Sequence, residues 1–205
     1  TVTLLVTAAN CGMANLVFAA GHSDITTFST STAKGFTAEK CHFEKNTTSE
    51  NFVAIFRAGT ADNDYDGLNL LYNTIDFGGD AGELLPINLL KNSKDVSIIG
   101  NKVYGDFDTT AFAVIYSVNT EVHENIEIAY NKIHNLHDAD AVSGISVGST
   151  DSTGFMHHNY VYSLDVAGET PFISAATGIA LFENYTTYDG STTSGFLFPA
   201  AGTLA

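Results

Sequence analysis

DVSIIGNKVYG (Asp95–Gly105) alternates apolar and polar residues as a β-strand does, yet an asparagine stands in its middle. Val96 and Ile98 are two positions apart, and so are Asn101 and Val103, but three positions separate Ile98 from Asn101. Side chains of a strand alternate faces, so a core-facing set continues around a bend only when one residue is inserted. The stretch therefore reads as strand, corner, strand. The same shape returns as GLNLLYNTIDF (Gly67–Phe77), NIEIAYNKIHN (Asn125–Asn135), GFMHHNYVYS (Gly154–Ser163) and GIALFENYTTY (Gly178–Tyr188).

Aligned on the central residue, the core-facing quartets are Leu68/Leu70/Asn73/Ile75, Val96/Ile98/Asn101/Val103, Ile126/Ile128/Asn131/Ile133, Gly154/Met156/Asn159/Val161 and Ile179/Leu181/Asn184/Thr186. Two earlier copies fit with the anchor replaced: Cys11/Met13/Leu16/Phe18 and Phe36/Ala38/Cys41/Phe43. The anchors fall at 16, 41, 73, 101, 131, 159 and 184, with spacings of 25, 32, 28, 30, 28 and 25 residues. A third strand precedes each quartet, at Leu4–Val6, Thr26–Phe28, Val53–Phe56, Ile87–Leu90, Ala113–Tyr116, Gly144–Val147 and Phe172–Ser174. Polar loops such as RAGTADNDYDG and NLHDADAVSG absorb the differences in spacing.

Self-similarity at such a period marks a solenoid. Three short strands and one variable loop per repeat predict an all-β fold. It is a single-stranded right-handed parallel β-helix of about seven coils, each of 25–32 residues, forming one domain over residues 1–205. No segment sustains a helical period. An antiparallel sandwich turns on hairpin dipeptides and does not account for the anchored quartet. Asn73, Asn101, Asn131, Asn159 and Asn184 are read as corner posts, not catalytic groups. Asparagine tolerates the left-handed backbone of a bend, and stacked carboxamides can hydrogen-bond from coil to coil.

The chain is 44% apolar, enough for one domain with a real core. Eight basic residues face 23 acidic ones, for a formal charge of −15, and Arg57 is the only arginine. Such a surface repels nucleic acid and anionic membrane, so neither is an expected partner. Cys11 and Cys41 make no disulfide framework or zinc motif and are read as free thiols. The apolar start of the chain lacks a basic leader and is interrupted by Asn10 and Asn15, so it reads as strands. No amphipathic helix precedes the first coil to cover its strand edges. The expectation is an N-terminal segment upstream of residue 1, or a first coil that abuts another protein.

DNDYDG (Asp62–Gly67) matches the first half of a calcium loop, with Asp62, Asp64 and Asp66 as candidate ligands. Asn73 stands where such a loop carries its bidentate Glu, so a solvated acidic turn competes with that reading. Calcium is the one cofactor considered. His134, His137, Asp138 and Asp140 gather residue types that hold zinc, on a loop where polar residues need no explanation. His157 and His158 precede the Asn159 corner, and alternation puts one inward and one outward.

Asp76, Glu127 and Glu183 lie near equivalent coil positions, and carboxylates from stacked coils can flank a glycosidic bond. The clustered arginine of pectate-lyase-like sites is absent, as is the Arg-x-Lys strand of polygalacturonase-like sites. No nucleophile elbow occurs either. No catalytic residue is assigned, and the chain is not expected to be an enzyme.

TVTLLVTAANCGMANLVFAAGHSDITTF (Thr1–Phe28) and TAKGFTAEKCHFEKNT (Thr32–Thr47), leading into Asn-cornered coils, resemble the right-handed parallel β-helix proteins of tailed bacteriophages. The resemblance implies a virion structural protein. The role expected from it is a capsid decoration or cement protein on the head exterior, contacting the major capsid protein as a homotrimer. The alternative is a tail spike or fibre domain that binds or cleaves host-surface polysaccharide. Tyr160, Tyr162, Tyr185 and Tyr188 would then stack on sugar rings. An ice-binding or adhesin solenoid fits poorly, because the coil lengths vary too much for a flat array.

Overall fold

A computed structural model describes residues 2–20, 26–30, 33–45, 52–59, 61–77, 86–107, 113–117, 120–136, 143–163, 173–175 and 177–188. Parallel strands stack into an all-β solenoid, with no helix among the described residues. The first sheet has seven strands: β1 (Val2–Val6), β4 (Thr26–Thr30), β7 (Phe52–Ala58), β10 (Ile87–Leu89), β14 (Ala113–Ser117), β18 (Ser143–Val147) and β21 (Ile173–Ala175). The second sheet holds β2 (Gly12–Ala14), β5 (Thr37–Glu39), β8 (Asn69–Leu71), β12 (Ser97–Ile99), β16 (Ile126–Ala129), β19 (Gly154–His157) and β22 (Ile179–Phe182). The third holds β3 (Val17–Ala19), β6 (His42–Glu44), β9 (Thr74–Asp76), β13 (Lys102–Gly105), β17 (Lys132–Asn135), β20 (Tyr160–Ser163) and β23 (Tyr185–Tyr188). A two-stranded ladder joins β11 (Ser93–Lys94) to β15 (His123–Glu124).

The register follows the anchored alignment. Ile98 pairs with Leu70 on one side and Ile128 on the other, and Val103 with Ile75 and Ile133. Inward residues therefore stack like on like. Ala38, Leu70, Ile98, Ile128 and Met156 form one buried column, and Phe43, Ile75, Val103, Ile133 and Val161 a second. Ile87, Ile115 and Ile145 line the first sheet's inner face. Each such Ile, Leu, Val, Met or Phe contributes about 1.5–3 kcal/mol by leaving water.

The asparagines do not make the bend, which corrects the reading from sequence. The left-handed residue is the one before each anchor: Asn15, Lys40, Tyr72, Gly100, Tyr130, His158 and Glu183, with φ between 52° and 69°. A left-handed residue turns its own side chain out and leaves the next one facing in. At a non-glycine residue this costs roughly 1–2 kcal/mol. At position 100 a Cβ would stand 2.4 Å from Tyr72 Cδ1, so glycine is required beneath that ring.

What holds the corner is the buried anchor carboxamide. Asn101 Oδ1 accepts both the backbone N–H and the Nδ2–H of Asn73, each at 3.0 Å, while Asn101 Nδ2 donates to the Leu70 carbonyl at 2.8 Å. Asn131, Asn159 and Asn184 repeat the pattern on the coil before each, with donations to the carbonyls of Ile98, Ile128 and Met156. Each amide thus satisfies two backbone groups that the bend removes from the sheet ladders. The chain of amides starts at Cys41, whose N–H donates to Asn73 Oδ1 at 2.9 Å.

Candidate functional site

The outer face of the third sheet carries two columns of side chains, at the first and third positions after each anchor. The first runs His42, Thr74, Lys102, Lys132, Tyr160, Tyr185, and the second runs Glu44, Asp76, Tyr104, His134, Tyr162. From Thr74 to Tyr162 they border a groove of about 480 Å³, floored by Ile75, Val103 and Ile133. The groove crosses the strands, so its long direction follows the stack.

The second column is aromatic and interlocked. His134 lies edge-on between Tyr104, with ring centres 5.1 Å apart, and Tyr162, at 4.3 Å. Partial burial holds the His134 imidazole below its ordinary pKa, which favours the neutral ring with one donor and one acceptor. In the first column Lys102 and Lys132 are direct cross-strand neighbours, and both are exposed. Neither makes an ion pair among the described residues. Like charges at that position repel, and the chain has only eight basic residues in all. Their juxtaposition suits an anion lying between them. Asp76 is the one carboxylate among the described lining residues.

No family model, curated protein or solved structure matches this chain. Its chemistry has to be read from the side chains alone.

Two residues flagged from sequence, Tyr160 and Tyr162, line the groove, and Tyr185 extends its column. The side chain of Tyr188 lies outside the described residues, although its backbone pairs with Ser163. Sequence reasoning missed Lys102, Lys132 and Tyr104 and placed His134 on a polar loop, with zinc as a minor reading, whereas it lies on β17. A signal was present, since all four occupy the first or third position after an anchor. His137, Asp138 and Asp140 lie outside the described residues.

Asp62, Asp64 and Asp66 sit on the turn between β7 and β8, with left-handed Asn63 and Gly67. Asp64 accepts the Ala61 N–H at 2.7 Å. Asp66 accepts the Lys94 N–H at 3.1 Å and meets Lys34 Nζ at 3.3 Å. Asp64 thus closes the turn and Asp66 ties it to the neighbouring coils, and among the described residues no group of three or more His, Cys, Asp or Glu is arranged to hold a metal ion. Cys11 and Cys41 are free thiols.

Asp76, Glu127 and Glu183 do not converge. They stand on the third sheet, on the second sheet and at the corner between them, because they sit at different offsets from their anchors. His157 and His158 do not split inward and outward either. His157 faces out by strand alternation after the inward Met156, and the left-handed backbone of His158 turns its own ring out as well.

A polar column also runs inside, where none was foreseen. Tyr65 donates to the Lys91 carbonyl, and the buried His123 ring lies between Ser93 Oγ at 2.8 Å and Ser117 Oγ at 2.5 Å. Burial drives the His123 pKa down to about 4.

Proposed function

We propose that the chain is the solenoid of a tailed-phage virion protein, and that the groove on the third sheet binds an anionic host-surface polysaccharide. The reading takes the solenoid as right-handed, with one coil for each of the seven strands in the long sheets. The observation that carries it is the Lys102–Lys132 pair beside the Tyr104–His134–Tyr162 column. Aromatic edges and faces pack on the apolar sides of sugar rings. The ammonium groups meet carboxylate, sulfate or phosphate substituents. Successive rungs lie about 4.8 Å apart and repeat the same two outward positions, so a polymer along the groove meets a side chain from each column on every rung.

Cleavage asks for two carboxylates flanking the bond. Among the described lining residues Asp76 is the one carboxylate, which favours binding without hydrolysis.

The test is calorimetry of the chain with a uronic-acid polysaccharide and with neutral dextran. Binding of the acidic polymer alone is expected, weakened roughly tenfold by Tyr162→Ala and by Lys132→Gln. Equal binding of both polymers, or unchanged binding in both variants, would rule the groove out.

Capsid decoration remains the second reading, favoured by the exposure of Val17 (67%) at an outward position of β3. A homotrimer or the major capsid protein would cover that surface. Cryo-electron microscopy of whole particles separates the two, since decoration requires density on the head.

A further inference from the structure

The second sheet's outer face changes character along the stack. One outward column opens with Gly12, Thr37, Asn69 and Ser97, all small or polar. It continues with Glu127, Phe155 and Ala180, and His157 and Phe182 stand in the column beside the last two. Phe155 and Phe182 are 49% and 38% exposed. The solenoid's core gains little from phenyl rings on its solvent side, and clustered apolar exposure of this kind marks interaction sites.

Phe155, His157, Ala180 and Phe182 occupy the corners of a square on two paired strands. Three corners are rings. His157 lies flat on Phe182 with centres 4.7 Å apart, and Phe155 stands at 75° to Phe182 with centres 6.4 Å apart. The fourth corner is a methyl group, which leaves a notch over Ala180 between two phenyl rings. Carboxylates bracket it. Glu127 is the cross-strand neighbour of Phe155, and Glu183 follows Phe182 in the chain. The histidines hold both in place. His157 and His158 meet through Nδ1 at 2.9 Å in an N–H···N hydrogen bond. Their Nε2 atoms lie 3.3 Å from Glu127 Oε1 and 2.5 Å from Glu183 Oε2.

We infer that this notch receives an arginine side chain from a basic segment of a partner protein. A guanidinium over Ala180 lies within about 6 Å of both phenyl centres, the reach of a cation–π contact. Its plane stacks on an aromatic face, and it sheds water more readily than an ammonium does. Glu127 and Glu183 then meet basic residues on either side of that arginine. Charge selects the partner: a second copy of this chain brings another −15, whereas a basic segment is attracted. The notch lies on the second sheet and owes nothing to the groove on the third.

The full chain is titrated by calorimetry with hexa-arginine and with hexalysine, in 0.15 M salt. The wild type is expected to bind hexa-arginine about fivefold more tightly than hexalysine. Phe155→Leu/Phe182→Leu leaves the formal charge and the apolar bulk in place and removes only the aromatic faces. It should weaken hexa-arginine about fivefold, leave hexalysine nearly unchanged and so abolish the preference. Circular dichroism verifies the fold. Tyr72→Asn, at an exposed corner nearer the start of the stack, should keep the wild-type preference. Equal binding of the two peptides by the wild type overturns the site. So does a preference that survives in the double variant, since the guanidinium groups would then be reading the acidic surface at large. A loss as great in Tyr72→Asn overturns it too.

Discussion

Asn101 shows what one carboxamide does. It supplies the acceptor for the Asn73 N–H and the donor for the Leu70 carbonyl, both inside the solenoid. Asn101→Ala leaves both groups buried and unpaired at about 1–3 kcal/mol each, so urea unfolding should show a loss of roughly 3 kcal/mol. Asn101→Asp should also destabilise, although it preserves shape, because it turns an acceptor toward the Leu70 and Asn131 oxygens. His123 ties stability to pH in a different way. Its folded pKa is about 4, against 6.5 for a free imidazole. The unfolded chain takes up the proton first, so stability present above about pH 6.5 is lost as pH falls toward 4. The full effect is on the order of 3 kcal/mol. Urea midpoints at pH 7.5 and 4.5 should separate more for the wild type than for His123→Gln, which has no imidazole to titrate. Equal separations would mean that His123 does not carry the dependence.

At the scale of the strand and its corner, the chain contains its own comparison. Asn73, Asn101, Asn131 and Asn159 each receive two hydrogen bonds from, or pass two to, a neighbouring carboxamide, whereas Cys41 has no amide to offer the coil before it. Cys41→Asn should extend the ladder to the Leu16 N–H and the Met13 carbonyl. The expected gain is about 1 kcal/mol, read as slower amide exchange in β2 and β3. Unchanged exchange would mean that the first coil is held by its sheets alone. Strands and register were legible because a shared interior imposes one rhythm on every quartet, and the amide anchors mark its phase. The left-handed position was not legible. Its occupants are Asn, Lys, Tyr, Gly, Tyr, His and Glu, which share a backbone angle and no side-chain chemistry. The groove was half legible, since Tyr160 and Tyr162 are conspicuous as aromatics while Lys102 and Lys132 become neighbours only through coil-to-coil pairing. His123 was missed because a polar residue eight positions before an anchor gives no sign of facing inward.

For the whole molecule the decisive quantity is charge. A formal −15 on 205 residues repels an anionic polymer at long range, while Lys102 and Lys132 attract it at contact. The two effects have different reach, and salt tells them apart. At 0.01 M the screening length is about 30 Å, so the ligand feels the net charge of the whole chain. Near 0.1 M it is about 10 Å, and at 1 M about 3 Å. Intermediate salt thus removes the distant repulsion and leaves most of the local attraction, while high salt removes both. Affinity for an acidic polysaccharide should rise from 0.01 M to about 0.15 M salt and fall again by 1 M. In Lys102→Gln/Lys132→Gln the rise should persist and the fall should flatten, because only the local attraction has been deleted. Binding that weakens steadily from the lowest salt upward would mean that the lysine pair outweighs the net charge at every distance. Binding indifferent to salt would exclude an anionic ligand from this groove altogether.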